Sequence, residues 1–279
     1  MSPGDGEPDL AARLAELADL RHRPLRRKPG EPVVVEGPVA IARLARAGVT
    51  FRVVALTPRG HRRLAGVLDP TRAPVAELGE AELSALAGYD VHRGALATLD
   101  EPPAERSEAL VVQARTLVVA EAVSDQENLG ALVRNAWALG ADGLLLGPAC
   151  PDPFARRVVR VSVGLSLLLP TVPVPCTLQA VRALRSEGWR VVGLETGPGS
   201  VPIGSLGVAQ EERLALVVGA EGPGLSRELV AEVGPCAEVP MARAGSSLNV
   251  ATALAVALAL LDRTSPAQPA DDPLADAPW

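Results

Sequence analysis

The sequence predicts an α/β protein of two domains: a C-terminal domain with a mainly parallel sheet and helices on both faces, and a smaller N-terminal α/β domain. Three observations predict it. From Leu117 onward, short runs apolar on both faces alternate with helical segments, the pattern of parallel strands covered on both sides. Between residues 31 and 100, shorter strand and helix segments alternate as well. The charged, proline-bearing stretch Asp100–Glu108 separates the two regions and reads as a linker.

The elements follow in order. Leu10, Leu14, Leu17 and Leu20 stand at helical spacing, and the basic, proline-flanked run from Arg21 to Gly30 ends that helix as an arm. Val39–Ala47 is helical, Phe51–Leu56 a strand and Gly60–Leu68 a helix, and the segments Pro74–Leu78, Glu80–Leu86 and Val91–Leu99 complete the domain. In the C-terminal region the expected strands are Leu117–Ala120, Gly143–Leu146, Val172–Pro175, Arg190–Leu194, Leu214–Val218 and Ala237–Val239. A long apolar helix begins near Leu248. The expected domains are therefore 1–30 (helix and arm), 31–100, a linker at 101–112, 113–264, and a disordered Pro/Ala/Asp tail at 265–279.

Composition limits the function classes. Of 279 residues 48% are hydrophobic but only 2% aromatic, so the core is Leu, Val and Ala, and base-stacking platforms cannot be plentiful. Leu248–Leu261 is too short to cross a bilayer, which takes ~20 residues. The acidic N-terminus lacks a signal-peptide pattern, and a cytoplasmic protein is expected. Cys150, Cys176 and Cys236 form no C-x-x-C pair, and His22, His61 and His92 are dispersed, so neither disulfides nor a metal site are expected. The net charge of −6 conceals a basic region: Arg21 to Arg63 holds eleven Lys or Arg against Glu31 and Glu36. Either a solvated arm or a nucleic-acid surface fits, since phosphate attraction is local.

Three polar segments interrupt the apolar C-terminal region, each at a strand-to-helix junction. The first, Asp125–Gly140, places Asn128 at a helix cap and Arg134 just over a turn inside. The second is Gly219-Ala-Glu221-Gly222-Pro-Gly224-Leu-Ser226, where glycines let backbone approach a ligand and Ser226 caps the next helix. In the third, Val239–Val250, Ser247 caps the apolar helix, and Asn249 starts it as a polar amide that needs partners. In a parallel sheet these junctions converge on one edge and build a single pocket. No G-x-G-x-x-G helix opening, Walker motif, H-E-x-x-H or G-x-S-x-G elbow is present, which removes the usual nicotinamide, nucleotide-hydrolysing, zinc-peptidase and esterase readings.

At these residues the chain resembles the SpoU (TrmH-type) RNA ribose 2′-O-methyltransferases of the SPOUT class. Asn128-x-Gly130-x-x-x-Arg134 is similar to the family's first motif, Gly219-x-Glu221-Gly222-x-Gly224-Leu225-Ser226 to its second, and Pro240-Met241 through Ser247-Leu248-Asn249-Val250 to its third. Asp152–Gly164 resembles the segment between the first two. Glu36-Gly37-Pro38 with Ile41, and Tyr89–Gly94, resemble the ribosomal-protein-like substrate-binding domain of many members. The first motif departs from the common Asp-Pro-x-Asn by reading Asp-Gln-Glu-Asn.

The resemblance implies a trefoil-knotted C-terminal domain and a homodimer with its active site at the subunit interface. It implies S-adenosylmethionine as methyl donor, held by Leu194, Thr196, Gly219, Gly224, Val239, Met241 and Leu248, with no metal. Arg134 is expected to clamp phosphate and stabilise the forming alkoxide, because a guanidinium is not deprotonated in proteins. Asn128, Glu221, Ser247 and Asn249 would complete the catalytic set by positioning the ribose and Arg134. Arg23, Arg26, Arg27 and Lys28 of the arm, with Arg156, Arg157 and Arg160, would bind RNA. The expected activity is 2′-O-methylation of RNA, ribosomal RNA favoured over transfer RNA, with no membrane partner. A non-catalytic ribosome-assembly factor and a base methyltransferase are the competing readings.

Overall fold

The computed structural model describes residues 9–23, 27–28, 30–69, 71–103, 113–209, 211–243 and 247–261. Arg26, most of the expected linker and the whole expected tail lie outside them. By its contacts the chain divides into two units. The first comprises the described residues up to Glu101 together with Phe154–Gly164; the second comprises the rest of the described chain.

The first unit is built on a four-stranded sheet of order β1-β4-β2-β3, with β1 at Val33–Glu36, β2 at Val53–Leu56, β3 at Val75–Glu77 and β4 at Ala95–Leu99. β4 runs antiparallel to both neighbours, and β2 and β3 are parallel. β1, near the start of the expected 31–100 domain, is an element the sequence reading left unassigned. Helices α2 (Pro38–Arg46) and α3 (Pro58–Leu64) each begin on a proline, whose missing N–H removes a donor that a helix start leaves unpaired anyway. The Thr57 hydroxyl caps α3 by accepting from Gly60 N at 3.2 Å. Helix α4 (Glu80–Ala87) ends where Gly88 turns left-handed.

The expected N-terminal helix forms only as α1 (Leu10–Leu14) and a single 3-10 turn at Ala15–Leu17. Tertiary contacts override the helical spacing here. Glu16 accepts from Arg52 Nε at 2.9 Å and from the Thr98 hydroxyl at 2.7 Å, which bends the chain so that Leu17 and Leu20 enter the core and Leu10 stays exposed. The segment 154–164, expected within the C-terminal domain, packs in this first unit and carries helix α6 (Arg156–Val161).

The second unit has a seven-stranded sheet of order β7-β6-β5-β10-β8-β11-β9, every pair parallel. Its strands are β5 (Thr116–Ala120), β6 (Gly143–Leu146), β7 (Thr171–Pro173), β8 (Arg190–Leu194), β9 (Val201–Pro202), β10 (Leu214–Val218) and β11 (Ala237–Glu238). The six expected strands are all present; β9, only two residues long, carries no periodicity to read. Leu117, Val119, Ala215 and Val217 pack with Val181 and Leu184 of α7 (Thr177–Ser186) and Leu229 of α8 (Arg227–Val233). The alternate residues Val118 and Leu216 are equally buried, so the opposite face is covered too. Helices α5 (Gln126–Ala138) and α9 (Val250–Leu261) pack together, and Asn135 donates to the Ala251 carbonyl at 2.7 Å.

Two caps fall elsewhere than expected. Asp125, not Asn128, caps α5 by accepting from Asn128 N at 2.9 Å, which puts Asn128 inside the first turn. Asn249, not Ser247, caps α9 by accepting from Ala251 N at 3.0 Å. Asn249 directly precedes Val250, the first residue of α9, whereas Ser247 stands two residues further out.

Candidate active site

Strand register builds the site. β10 lies between β5 and β8 with Val218 level with both Ala120 and Leu194, so three strands end together. Chain order reverses direction across the sheet at this point, where parallel sheets bind ligands. The next residues are Glu121, Glu195 and Gly219. The loop after Gly219 folds back at once, with Gly224 N donating to Ala220 O at 3.0 Å. A β-carbon on Gly219 would lie 2.3 Å from the Gly224 carbonyl carbon, so only glycine permits this fold-back.

Two carboxylates grip the far end of the loop. Glu195 accepts from Leu225 N at 2.9 Å and from Thr196 N at 3.0 Å. Glu121 accepts from Ser226 N at 2.8 Å. Ser226 caps α8 as expected, its hydroxyl accepting from Leu229 N at 3.3 Å. Sequence reasoning missed both carboxylates, since each is simply the residue after an apolar strand. The shared strand-end position was the signal that could have found them.

Above these strand ends lies a cavity of about 420 Å³. Leu194, Thr196, Gly219, Gly224, Val239, Met241 and Leu248, the residues expected around the donor, all line it, as do Glu221, Ser247 and Asn249. Its described lining carries the carboxylates of Glu195, Glu221 and Glu238 and no Lys, Arg or His.

At its edge Asn249 uses its whole amide. Its Nδ2 donates to Glu221 Oε1 at 2.6 Å and to Asn128 Oδ1 at 2.8 Å, while its Oδ1 caps α9. Three of the five expected catalytic residues are thereby joined, and Asn128 is linked to the cavity through Asn249 although it does not line it. Arg134 stands apart: it is exposed on α5, outside the cavity lining, and has no hydrogen-bond or ion-pair partner among the described residues.

The expected RNA-binding residues fare differently. Arg156 holds the buried Glu36 at 2.5 Å and lies over the Tyr89 ring at 4.8 Å, so it braces the first unit. Arg160 is 3.8 Å from the same carboxylate. Burial and the neighbouring Glu36 push the Tyr89 hydroxyl well above the usual phenol range. Arg27 pairs with Glu101 at 2.6 Å, and Arg23 donates to the Glu16 carbonyl. Lys28 and Arg157 are exposed.

Residues 115–259 match the SpoU rRNA Methylase family. The chain belongs to that family. As a SpoU methylase it is similar over its length to an uncharacterized tRNA/rRNA methyltransferase of Mycobacterium tuberculosis, 33% identical over 258 residues that span 90% of this chain and 88% of that one. Among solved structures, a TrmH-family protein of Porphyromonas gingivalis superposes with a TM-score of 0.72 at 26% identity, covering 90% of this chain and 97% of that one. An AdoMet-bound rRNA methyltransferase of Sinorhizobium meliloti gives 0.68 at 26%, covering 83% and 87%.

Proposed function

We propose that this SpoU methylase transfers a methyl group from S-adenosylmethionine to a ribose 2′-hydroxyl of RNA, with ribosomal RNA the favoured substrate. The observation that carries the reading is the Asn128–Asn249–Glu221 network standing at the edge of a cavity lined by all seven expected donor residues.

The residues present fit the donor. Gly219 and Gly224 bring bare backbone to the cavity floor, as close approach to a ligand requires. Leu194, Val218, Val239, Met241 and Leu248 offer apolar surface for a flat ring, and 420 Å³ lies in the range of small-ligand sites. Carboxylates with no cation in the described lining favour a positively charged ligand, and a sulfonium is one. When bound, the donor supplies an electrophilic methyl: the hydroxyl oxygen forms the new C–O bond, the C–S bond breaks, its electron pair stays on sulfur, and the hydroxyl proton must leave.

Arg134 is assigned to a substrate phosphate and to the charge that develops on the attacking oxygen, being a fixed cation with five donors. Asn249 fixes the positions of Asn128 and Glu221. The homodimer and the trefoil knot belong to this proposal, and a dimer would give the exposed Leu248 and Leu260 something to cover them. For RNA docking we favour another part of the basic region than the arm. Arg59, Arg62 and Arg63 are exposed on α3 and have no hydrogen-bond or ion-pair partner among the described residues.

The test is incubation with deproteinised total bacterial RNA and S-adenosylmethionine labelled in its methyl group, followed by separation by size and digestion to nucleosides. Label in a 2′-O-methylnucleoside of ribosomal RNA is expected. Label on a base, or in transfer RNA alone, would replace the corresponding part of the proposal. Neither label nor donor binding would leave an assembly factor.

A further inference from the structure

Arg134 cannot take the proton of the attacking hydroxyl, because a guanidinium has no acceptor lone pair to offer. The proton therefore needs another destination near the cavity. We infer that Glu221 is that acceptor, receiving the ribose proton on Oε2; the inference rests on the methyltransferase reading above.

The three carboxylates lining the cavity are not equivalent. Glu195 has both oxygens occupied by backbone amides, Leu225 N on Oε2 and Thr196 N on Oε1, and is committed to holding the loop. Glu238 is likewise held at one oxygen, Oε2 receiving the Ser200 hydroxyl at 2.5 Å, but it is less exposed and stands outside the Asn249–Asn128 network. Glu221 is anchored through Oε1 alone, by Asn249 Nδ2 at 2.6 Å, and among the described residues its Oε2 has no partner. That anchor is itself fixed, since Asn249 spends its other amide hydrogen on Asn128 and its oxygen on the first turn of α9. The result is a carboxylate held at one oxygen and open at the other. It is exposed, so a proton gained there passes readily to water.

The chemistry asks little of such a base. As the C–O bond forms, the attacking hydroxyl becomes far more acidic than a carboxylic acid, so a carboxylate in contact accepts its proton without any raised basicity. Charge also balances: a sulfonium and a carboxylate enter, and a thioether and a carboxylic acid leave. No co-reactant is needed.

Glu221→Gln is the informative variant, because the amide oxygen still accepts from Asn249 while the proton acceptor is gone. Two quantities are measured on the full chain: donor affinity by calorimetry, and the single-turnover rate on deproteinised total bacterial RNA across pH. Expected are a modest loss of donor affinity, since Glu195 and Glu238 remain in the lining, and a rate at least about 100-fold lower, the size of a lost general base. The acid limb of the wild-type profile should vanish in the variant, with Glu221→Asp restoring part of the rate. A Gln variant within threefold of the wild-type rate, or one keeping the acid limb, overturns the inference and leaves the methyltransferase reading intact. Equal losses of affinity and rate would also overturn it, making Glu221 a binding group. A wild-type protein that methylates no RNA would overturn both.

Discussion

The Glu195 carboxylate occupies the space beside Gly224: its Oε2 lies 2.0 Å from where a β-carbon on Gly224 would stand. Gly224 is also left-handed, at φ +70°, so the loop depends on glycine twice. Gly224→Ala must displace the carboxylate and strain the backbone by ~1–2 kcal/mol. Displacement is feasible, as Glu195 is a flexible side chain. Gly219→Ala has no such escape, since its new methyl meets Gly224 backbone. Calorimetry should show donor affinity lowered about tenfold in Gly224→Ala and abolished in Gly219→Ala. Equal, mild effects would mean that the loop is not held as described.

Arg134 presents the opposite case. Exposed and unpartnered among the described residues, it contributes nothing visible to the fold. Arg134→Ala should therefore melt within about 0.5 kcal/mol of wild type, as surface substitutions do. Donor binding should also persist, while most methyl transfer is lost. Wild-type turnover in this variant would remove Arg134 from the mechanism.

In the first unit, Glu16 joins the N-terminal turn to the sheet through Arg52 and Thr98. Burial raises its carboxyl, but hydrogen bonds from those two residues outweigh it and hold the group below its ordinary 4.5. With the folded value depressed, the stabilisation is complete above the unfolded value and is lost as pH falls through the folded one. Thermal melts from about pH 6 down to 3 should fall more steeply for wild type than for Glu16→Gln. At pH 7 the variant should be less stable by about 1–2 kcal/mol, allowing for the part-exposed Arg52. Parallel pH profiles would show that the pair adds nothing to stability.

What could be read from sequence follows from how locally each feature is encoded. The strands Leu117–Ala120 and Leu214–Val218 are apolar on both faces because they are buried on both, so they announce a parallel sheet directly. The cavity residues were reached through motif resemblance, and the cavity gathers them because their loops all leave the same edge. Asn249 and Ser247 are two residues apart, and composition alone cannot say which reaches the first amides of α9. Glu121 and Glu195 acquire meaning only from the register that places them on either side of Gly219. Arg156 sits in a basic run that suggests phosphate binding, yet burial of the distant Glu36 claims it. Such pairings are set by tertiary structure.

Helix α3 offers the sharpest test of RNA docking. Arg59, Arg62 and Arg63 lie three and four positions apart, so they share one face and repel each other. Arg59 also sits in the first turn, the wrong end of a helix dipole for a cation. Gly60 of α3 is pressed against the Gly94 carbonyl, leaving no space for a β-carbon, so the helix start is fixed against its neighbour. Arg62 and Arg63 stand in the last turn, the favourable end, so the cluster has little net effect on the helix and is explained if phosphates bind it. Replacing Arg59, Arg62 and Arg63 together by Gln should then leave the melting temperature nearly unchanged, while RNA affinity falls and its salt dependence flattens. The expected flattening is about 0.7 in log K against log salt for each single-strand phosphate that is no longer neutralised. Fluorescence anisotropy with deproteinised ribosomal RNA fragments, from 50 to 300 mM salt, would read it. An unchanged slope, with donor binding intact, would move the RNA surface away from α3 without touching the methyltransferase assignment.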